Sequence, residues 1–282
     1  HIPGYTEDAV RQVRRAQRVD IARSVPLGVL LPLETSVLLT IAIRHFDAAW
    51  WVKWLVAAAN GFGLFAASYV TSIARRMARP VMVPAAALSA LGGLGLLAGA
   101  TGSLPLFVAG AILGIGTVNA VYPLTTVTYE RNFPPGELGR RVGWGLAVKV
   151  FVSALAGLAM GESLTRWPER WWIVIVAGAA ASFGWMLCNL RMPSEPLPKM
   201  AGARSELLPH FHLLSADRRL RLTLTAWMLM GFGNLMLLPL RVEFLARPRY
   251  GINASAGKIA VLTVVVPSAV RLLAMPVFGA IF

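Results

Sequence analysis

Apolar residues in this chain gather into long unbroken runs instead of alternating with polar ones, and short polar stretches separate the runs. Eight of them reach the roughly 20 residues that a helix rising ~1.5 Å per residue needs to cross ~30 Å of hydrocarbon. They lie near 24–43, 51–72, 81–101, 105–128, 142–162, 171–190, 221–241 and 258–282. The pattern predicts an all-α, polytopic membrane protein. Before the first run, Thr6, Glu7 and Asp8 form a good helix start, because their side-chain oxygens can accept from the free N–H groups of a first turn. The helix they open carries Arg11, Arg14, Arg15, Arg18 and Arg23. It reads as a basic juxtamembrane segment, either a solvated orientation signal or a specific contact with membrane lipid or a partner.

Composition supports the membrane reading, since 56% hydrophobic against 14% charged residues departs far from a soluble average. The net charge of +14 would on its own suggest nucleic acid. The cations sit between apolar runs, however, and form no stripe with interleaved aromatics, so no nucleic-acid partner is expected. Their distribution is informative: links on the N-terminal side of the membrane hold 17 of the 27 Lys and Arg, and links on the other side hold 8. That bias predicts a cytoplasmic N-terminus. Trp50, Trp51, Trp54, Trp167, Trp171 and Trp172 are expected at the opposite edge, anchored among headgroups. Cys188 is the only cysteine, which excludes an internal disulfide, and His210 and His212 have no third ligand in view. No cofactor, no metal and no enzymatic activity are expected. The chain begins at His1 and ends at Phe282 inside an apolar run, and it reads as a piece of a longer protein without a signal peptide.

Between the fourth and fifth runs lies the charged stretch Tyr129-Glu130-Arg131-Asn132-Phe133-Pro134-Pro135-Gly136-Glu137-Leu138-Gly139-Arg140-Arg141-Val142-Gly143. The two prolines require the preceding helix to stop at or before Phe133, and Gly136 allows the turn. An acidic–basic pair, an Asn-Phe-Pro turn, then Gly-Arg and a second glycine resemble the loop between the fourth and fifth spans of major facilitator superfamily (MFS) transporters. The stretch Ala74-Arg75-Arg76-Met77-Ala78-Arg79-Pro80 is similar to that family's signature after the second span. Arg75, Arg79 and the proline match, whereas Val70, Ala74 and Met77 stand where the first glycine, the aspartate and the second glycine belong.

The resemblance implies an MFS-like helical bundle. Residues 1–23 would be the cytoplasmic basic segment, 24–190 the N-terminal six-span half, 191–220 the cytoplasmic central loop, and 221–282 the first two spans of the C-terminal half. It further implies a secondary transporter that moves a small-molecule substrate by alternating access, in a bacterial inner membrane. Arg75, Arg79, Glu130, Arg131, Arg140 and Arg141 would then act as gate or topology charges. The departures at Ala74 and Met77 leave open an alternative, a non-transporting relative that senses or scaffolds.

An ionisable group deep in a span is costly and marks function by default. Glu34 lies ~15 Å into the first span, and Lys149 lies ~12 Å into the fifth from the same side. Burial disfavours the ionised carboxylate and a nearby ammonium favours it, a balance suited to coupling with a proton or other ion. A structural ion pair is the alternative. Arg271 lies ~16 Å from the end of the eighth span. The resemblance implies that spans five and eight face each other between the halves, so that Lys149 and Arg271 flank the pathway, unless they snorkel. Asn119, Tyr122, Thr126 and Glu130 share one helical face, as do Trp227, Asn234 and Arg241. Asn119, Tyr122, Thr126, Trp227, Asn234 and Arg271 are thus candidate substrate contacts, with interhelical bonding as the plainer role. Three cations against Glu34 alone slightly favour an anionic or hydroxyl-rich solute. The pairs Gly95/Gly99, Gly110/Gly114 and Gly157/Gly161 have the spacing that lets helix backbones approach.

Overall fold

The computed structural model describes residues 6–198, 217–250 and 252–281, with the side chains of Asn234, Leu235 and 275–281 left out. His210, His212 and most of the central link lie outside the described residues. Helix α1 (Glu7–Pro32) starts as expected, with the Thr6 hydroxyl accepting from the Ala9 N–H at 3.4 Å. It does not stop at residue 23. It runs through Pro26 into a π-helical turn (Leu33–Val37) and on into α2 (Leu38–Arg44), one helix from Glu7 to Arg44. Proline inside a membrane helix is tolerated where other groups satisfy the freed carbonyls. Pro26 and Pro32 free the Ala22 and Gly28 carbonyls, whereas the Thr35 hydroxyl caps the Leu31 and Pro32 carbonyls beside the π turn, at 3.1 and 3.3 Å.

The second apolar run is also not one straight span. Helices α3 (Trp50–Ala57) and α4 (Ala59–Met77) meet at Ala58 with a bend of 44°. Helix α4 buries Ala59, Gly63, Ala67, Val70 and Ala74, a three-to-four-residue stripe, and exposes Phe62, Leu64, Phe65, Tyr69 and Ile73. Then come α5 (Met82–Gly99), α6 (Leu104–Ala120), α7 (Tyr122–Asn132), α8 (Leu138–Arg166) and α9 (Trp171–Arg191). The remainder is α10 (Arg218–Ala246), α11 (Ala256–Ala260), a second π turn (Val261–Val265) and α12 (Val266–Ile281). Among the described residues seven helices are long and apolar enough to cross a membrane, eight if the bent α3–α4 pair is one span. The protein is all-α and multi-pass; among the described residues the sole β feature is an isolated bridge between Pro80 and Pro196.

The glycine pairs sit at close helix contacts. A methyl on Gly95 would come 2.7 Å from Leu113 Cβ, and one on Gly110 would come 3.0 Å from the Gly99 backbone, so α5 and α6 nearly touch. Gly157 and Gly161 bring α8 against Val264 and Ala260 of the second π turn and α11. Helix α7 ends at Asn132 and Phe133 is extended, as the prolines require. One anchor was misassigned from sequence. Trp171 is buried, not at the headgroups, with its ring among His45, Phe46 and Phe107. An aromatic ring with apolar neighbours on several sides gains more from packing than from the interface. Trp50, Trp51, Trp54, Trp167 and Trp172 are exposed.

Candidate functional site

The polar site begins at the first π turn, a widening of the helix that recurs where side chains are re-aimed for function. Glu34 occupies it, and its Oε1 accepts from Asn60 Nδ2 of α4 at 2.7 Å. Helix α4 comes this close because Gly63, one turn beyond Asn60, has no side chain. A methyl there would overlap the Gly116 carbonyl oxygen and lie 2.8 Å from Asn119 Cβ on α6. Asn119, 4% exposed, lies beside this contact, and its Nδ2 donates to the Ile115 carbonyl at 3.1 Å.

Two cations complete the arrangement. Gly157 meets Val264, while Gly161 meets the earlier residues Ala256, Gly257 and Ala260, so α8 and the α11–α12 span run antiparallel. Lys149 precedes Gly157 by ~12 Å of helix and Arg271 follows Val264 by ~10 Å, which sets both at one level. The backbone of α8 at Lys149 packs on Gly28 of α1, ~9 Å of helix before Glu34. Both cations act electrostatically on the Glu34 carboxylate, Lys149 more strongly. Neither is within ion-pair distance of an acid among the described residues. Lys149 Nζ instead donates to Tyr122 Oη at 3.3 Å and lies 5.8 Å from the centre of that ring.

The structure therefore pairs Glu34 with Asn60, which the sequence reading passed over, sets Asn119 beside them, joins Lys149 to Tyr122 and places Arg271 at the level of Lys149. An amide in an apolar run, one turn before a glycine, was the available signal. The rest of the α6–α7 stripe does not join them. Pro123 lacks the N–H that would bond the Asn119 carbonyl, and the helix breaks at Val121. Thr126 beyond the break is exposed and donates to its own Tyr122 carbonyl at 3.2 Å, and Glu130 is exposed. On α10, Trp227 is 65% exposed, Arg241 is exposed, and the Asn234 side chain lies outside the described residues.

The loop charges are locally engaged. Arg140 and Arg141 pair with Glu137 at 3.2 and 2.6 Å, Gln17 of α1 donates to the Arg141 carbonyl at 3.2 Å, and Arg131 donates to the Pro196 carbonyl at 3.1 Å. Arg75 and Arg79 are exposed around the end of α4, where Ala78 adopts left-handed backbone at φ 48.

Two ion-pair clusters were not foreseen. Arg23, read from sequence as a solvated charge, is 2% exposed. Its guanidinium pairs with Asp20 at 2.9 Å and donates to Tyr129 Oη at 2.6 Å and Thr125 Oγ1 at 3.3 Å, while the Tyr129 hydroxyl donates to Asp20 at 2.7 Å. Burial is possible because each charge meets an opposite charge and a hydroxyl. The second cluster ties α3 to α10. Lys53 pairs with Glu243 at 2.7 Å, Arg249 reaches Glu243 at 3.2 Å, Arg247 pairs with Asp47 at 2.7 Å, and Arg44 donates to the Ala254 carbonyl. Leu39, Ile43, Val242, Ala246, Ala254 and Ile259 pack beside it.

Compared with protein-family models the chain matches none, and a comparison with curated proteins finds no relative.

Proposed function

We propose that this chain belongs to a secondary transporter of the MFS type, which carries a small solute by alternating access and couples it to protons through Glu34. On this reading the N-terminus and the loops bearing Arg75, Arg79, Arg131, Arg140 and Arg141 lie in the cytoplasm, and the membrane is a bacterial inner membrane. One observation supports it most: a carboxylate deep in the first span held by the Asn60 amide of another helix, with Lys149 and Arg271 near it and neither in an ion pair among the described residues. A purely structural ion pair would place a cation directly on the carboxylate. A carboxylate held by neutral donors can gain or lose a proton without breaking a salt bridge, which is what coupling needs.

The test is transport by the full-length protein in liposomes under an imposed proton gradient. Glu34→Gln keeps size and hydrogen bonding but cannot titrate. It should bind and exchange solute yet lose proton-driven accumulation. Accumulation by this variant with an unchanged pH profile would refute the coupling role. The substitutions at Ala74 and Met77 favour a second reading, a sensor or scaffold, which absence of ion-driven flux for any solute in a broad panel would support.

A further inference from the structure

We infer that the solute is a small organic carboxylate, bound between Lys149, Arg271 and the Tyr122 hydroxyl, and that it is carried in symport with the proton taken up by Glu34. The inference rests on the transporter reading and deepens it.

The first step is charge balance. Lys149 and Arg271 stand at one level on facing helices, neither forms an ion pair among the described residues, and the Glu34 carboxylate is near both. With Glu34 ionised the site carries one positive charge in excess, and with Glu34 protonated it carries two. Two unpaired cations in a low-dielectric setting attract an anion strongly, and they repel a cationic solute as strongly. The Lys149 ammonium has two donors beyond the one given to Tyr122, Arg271 offers a planar fork matched to a carboxylate, and the Tyr122 hydroxyl can donate. Access is open as well: Tyr122 and Arg271 are exposed, and Glu34 and Lys149 are partly so. The aromatic ring beside the ammonium suits an organic body attached to the carboxylate.

The second step is linkage. A carboxylate placed against Lys149 and Arg271 takes the two charges that favour ionised Glu34, and it adds a like charge nearby. Both effects make Glu34 bind its proton more readily when the anion is present. By reciprocity the protonated site binds the anion more tightly. Anion and proton enter together, the added charge sums to zero, and they leave together.

Other ionised groups on elements packed around the π turn are committed or turned away. Asp20 and Arg23 of α1 pair with each other, Arg44 of α2 is held by the Ala254 carbonyl, and Glu243 of α10 is held by Lys53. Arg241 of α10 and Lys258 of α11 are exposed, and α4 and α6 contribute the amides Asn60 and Asn119.

The experiment is calorimetric titration of the purified full-length protein with lactate and benzoate, their neutral isosteres lactamide and benzamide, and inorganic phosphate, over an acidic-to-alkaline pH series. A carboxylate should bind at least about tenfold more tightly than its amide and than phosphate. Its affinity should rise as pH falls, by up to about tenfold per unit for one linked proton. Glu34→Gln should bind with pH-independent affinity. Lys149→Gln and Arg271→Gln should each weaken carboxylate binding about tenfold or more without changing amide binding, and Lys149→Arg should recover most of the loss. Equal binding of amides and carboxylates would overturn the inference, as would tighter binding of phosphate or a pH-independent affinity in the unaltered protein. If no carboxylate binds while the protein moves some other solute, the inference fails and the transporter reading stands. Absence of flux for every solute would end both.

Discussion

Gly63→Ala isolates the contact on which the Glu34 site is built. A methyl at residue 63 would overlap the Gly116 carbonyl oxygen and come 2.8 Å from both the Gly116 carbonyl carbon and Asn119 Cβ. The first two are backbone atoms of a packed helix and cannot rotate aside, so α4 and α6 must separate. Overpacking of this kind costs about 1–3 kcal/mol, and rigid backbone on the far side puts this case near 3. Alanine also gains about 1 kcal/mol over glycine in a helix interior. The control is two residues away: Gly61 lies in the same helix with nothing within 4 Å of a would-be methyl. Gly61→Ala therefore gains the helix term alone. Both variants share that term, so their difference, about 3 kcal/mol, measures the overlap itself. Thermal unfolding of the detergent-solubilised full-length protein should place Gly63→Ala below and Gly61→Ala at or above the unaltered protein. The same displacement moves Asn60 from Glu34, so on the proposed function Gly63→Ala should lower proton-driven uptake even where it folds. Equal stability of the two variants would refute the close α4–α6 approach.

Arg23→Met leaves Asp20 buried without its cation and should destabilise by about 3–5 kcal/mol; in the Asp20→Asn, Arg23→Met double variant the loss should be smaller, and equal losses would mean the pair is not coupled. Lys53→Met breaks the pair with Glu243, a loss of about 1–3 kcal/mol with Arg249 still in place. A cysteine replacing buried Ala246 should then react with a thiol reagent several-fold faster, and an unchanged rate would show that the pair does not hold α3 to α10. A cysteine at Gly136, which has open space around it, should be labelled by an impermeant reagent only from the cytoplasm; labelling from outside would invert the proposed topology.

What was legible in the sequence was whatever depends on neighbours along the chain. The Thr6 start, the stop before Pro134 and the apolar runs all turn on backbone hydrogen bonds within a few residues. Glu34 and Lys149 stood out because hydrocarbon penalises charge wherever its partner lies. Arg23 and Lys53 did not, because each was counted as a charge at the edge of a run. Asp20 is local to Arg23, but Tyr129, which closes that cluster, is 106 residues from Arg23, and Glu243 is 190 from Lys53. Charge bias along the sequence reports which side of a membrane a residue is near; whether that residue is solvated or bonded is decided by helix packing, which the bias does not contain. Asn60 was missed for a related reason, since an amide tolerates either lipid-edge or buried positions and only the Gly63–Gly116 contact selects the second. The bend at Ala58 and the π turn at Glu34 leave no periodic signature, because each displaces the pattern by a single residue.

The bonds between the first six spans and the last two are unequal at their two ends. At the end of α10 that carries Glu243, an ion-pair network and the Leu39, Ile43, Val242 and Ala246 cluster join it to α2 and α3. At its other end Leu222, Trp227, Met228 and Leu229 are all more than half exposed. The Glu34 site lies between, at the level of the two π turns, which touch each other. Toward the network end Lys149 faces packed aliphatic side chains and the 2.7 Å Lys53–Glu243 pair; toward Arg140 and Arg141 it faces the buried Asp20–Arg23 pair, against which Gly145 of α8 packs. On the alternating-access reading, opening toward the network end requires Lys53 and Glu243 to part. Because that pair is nearly buried, its separation is favourable only once water reaches both charges. On that reading the pair resists partial opening and yields to full opening.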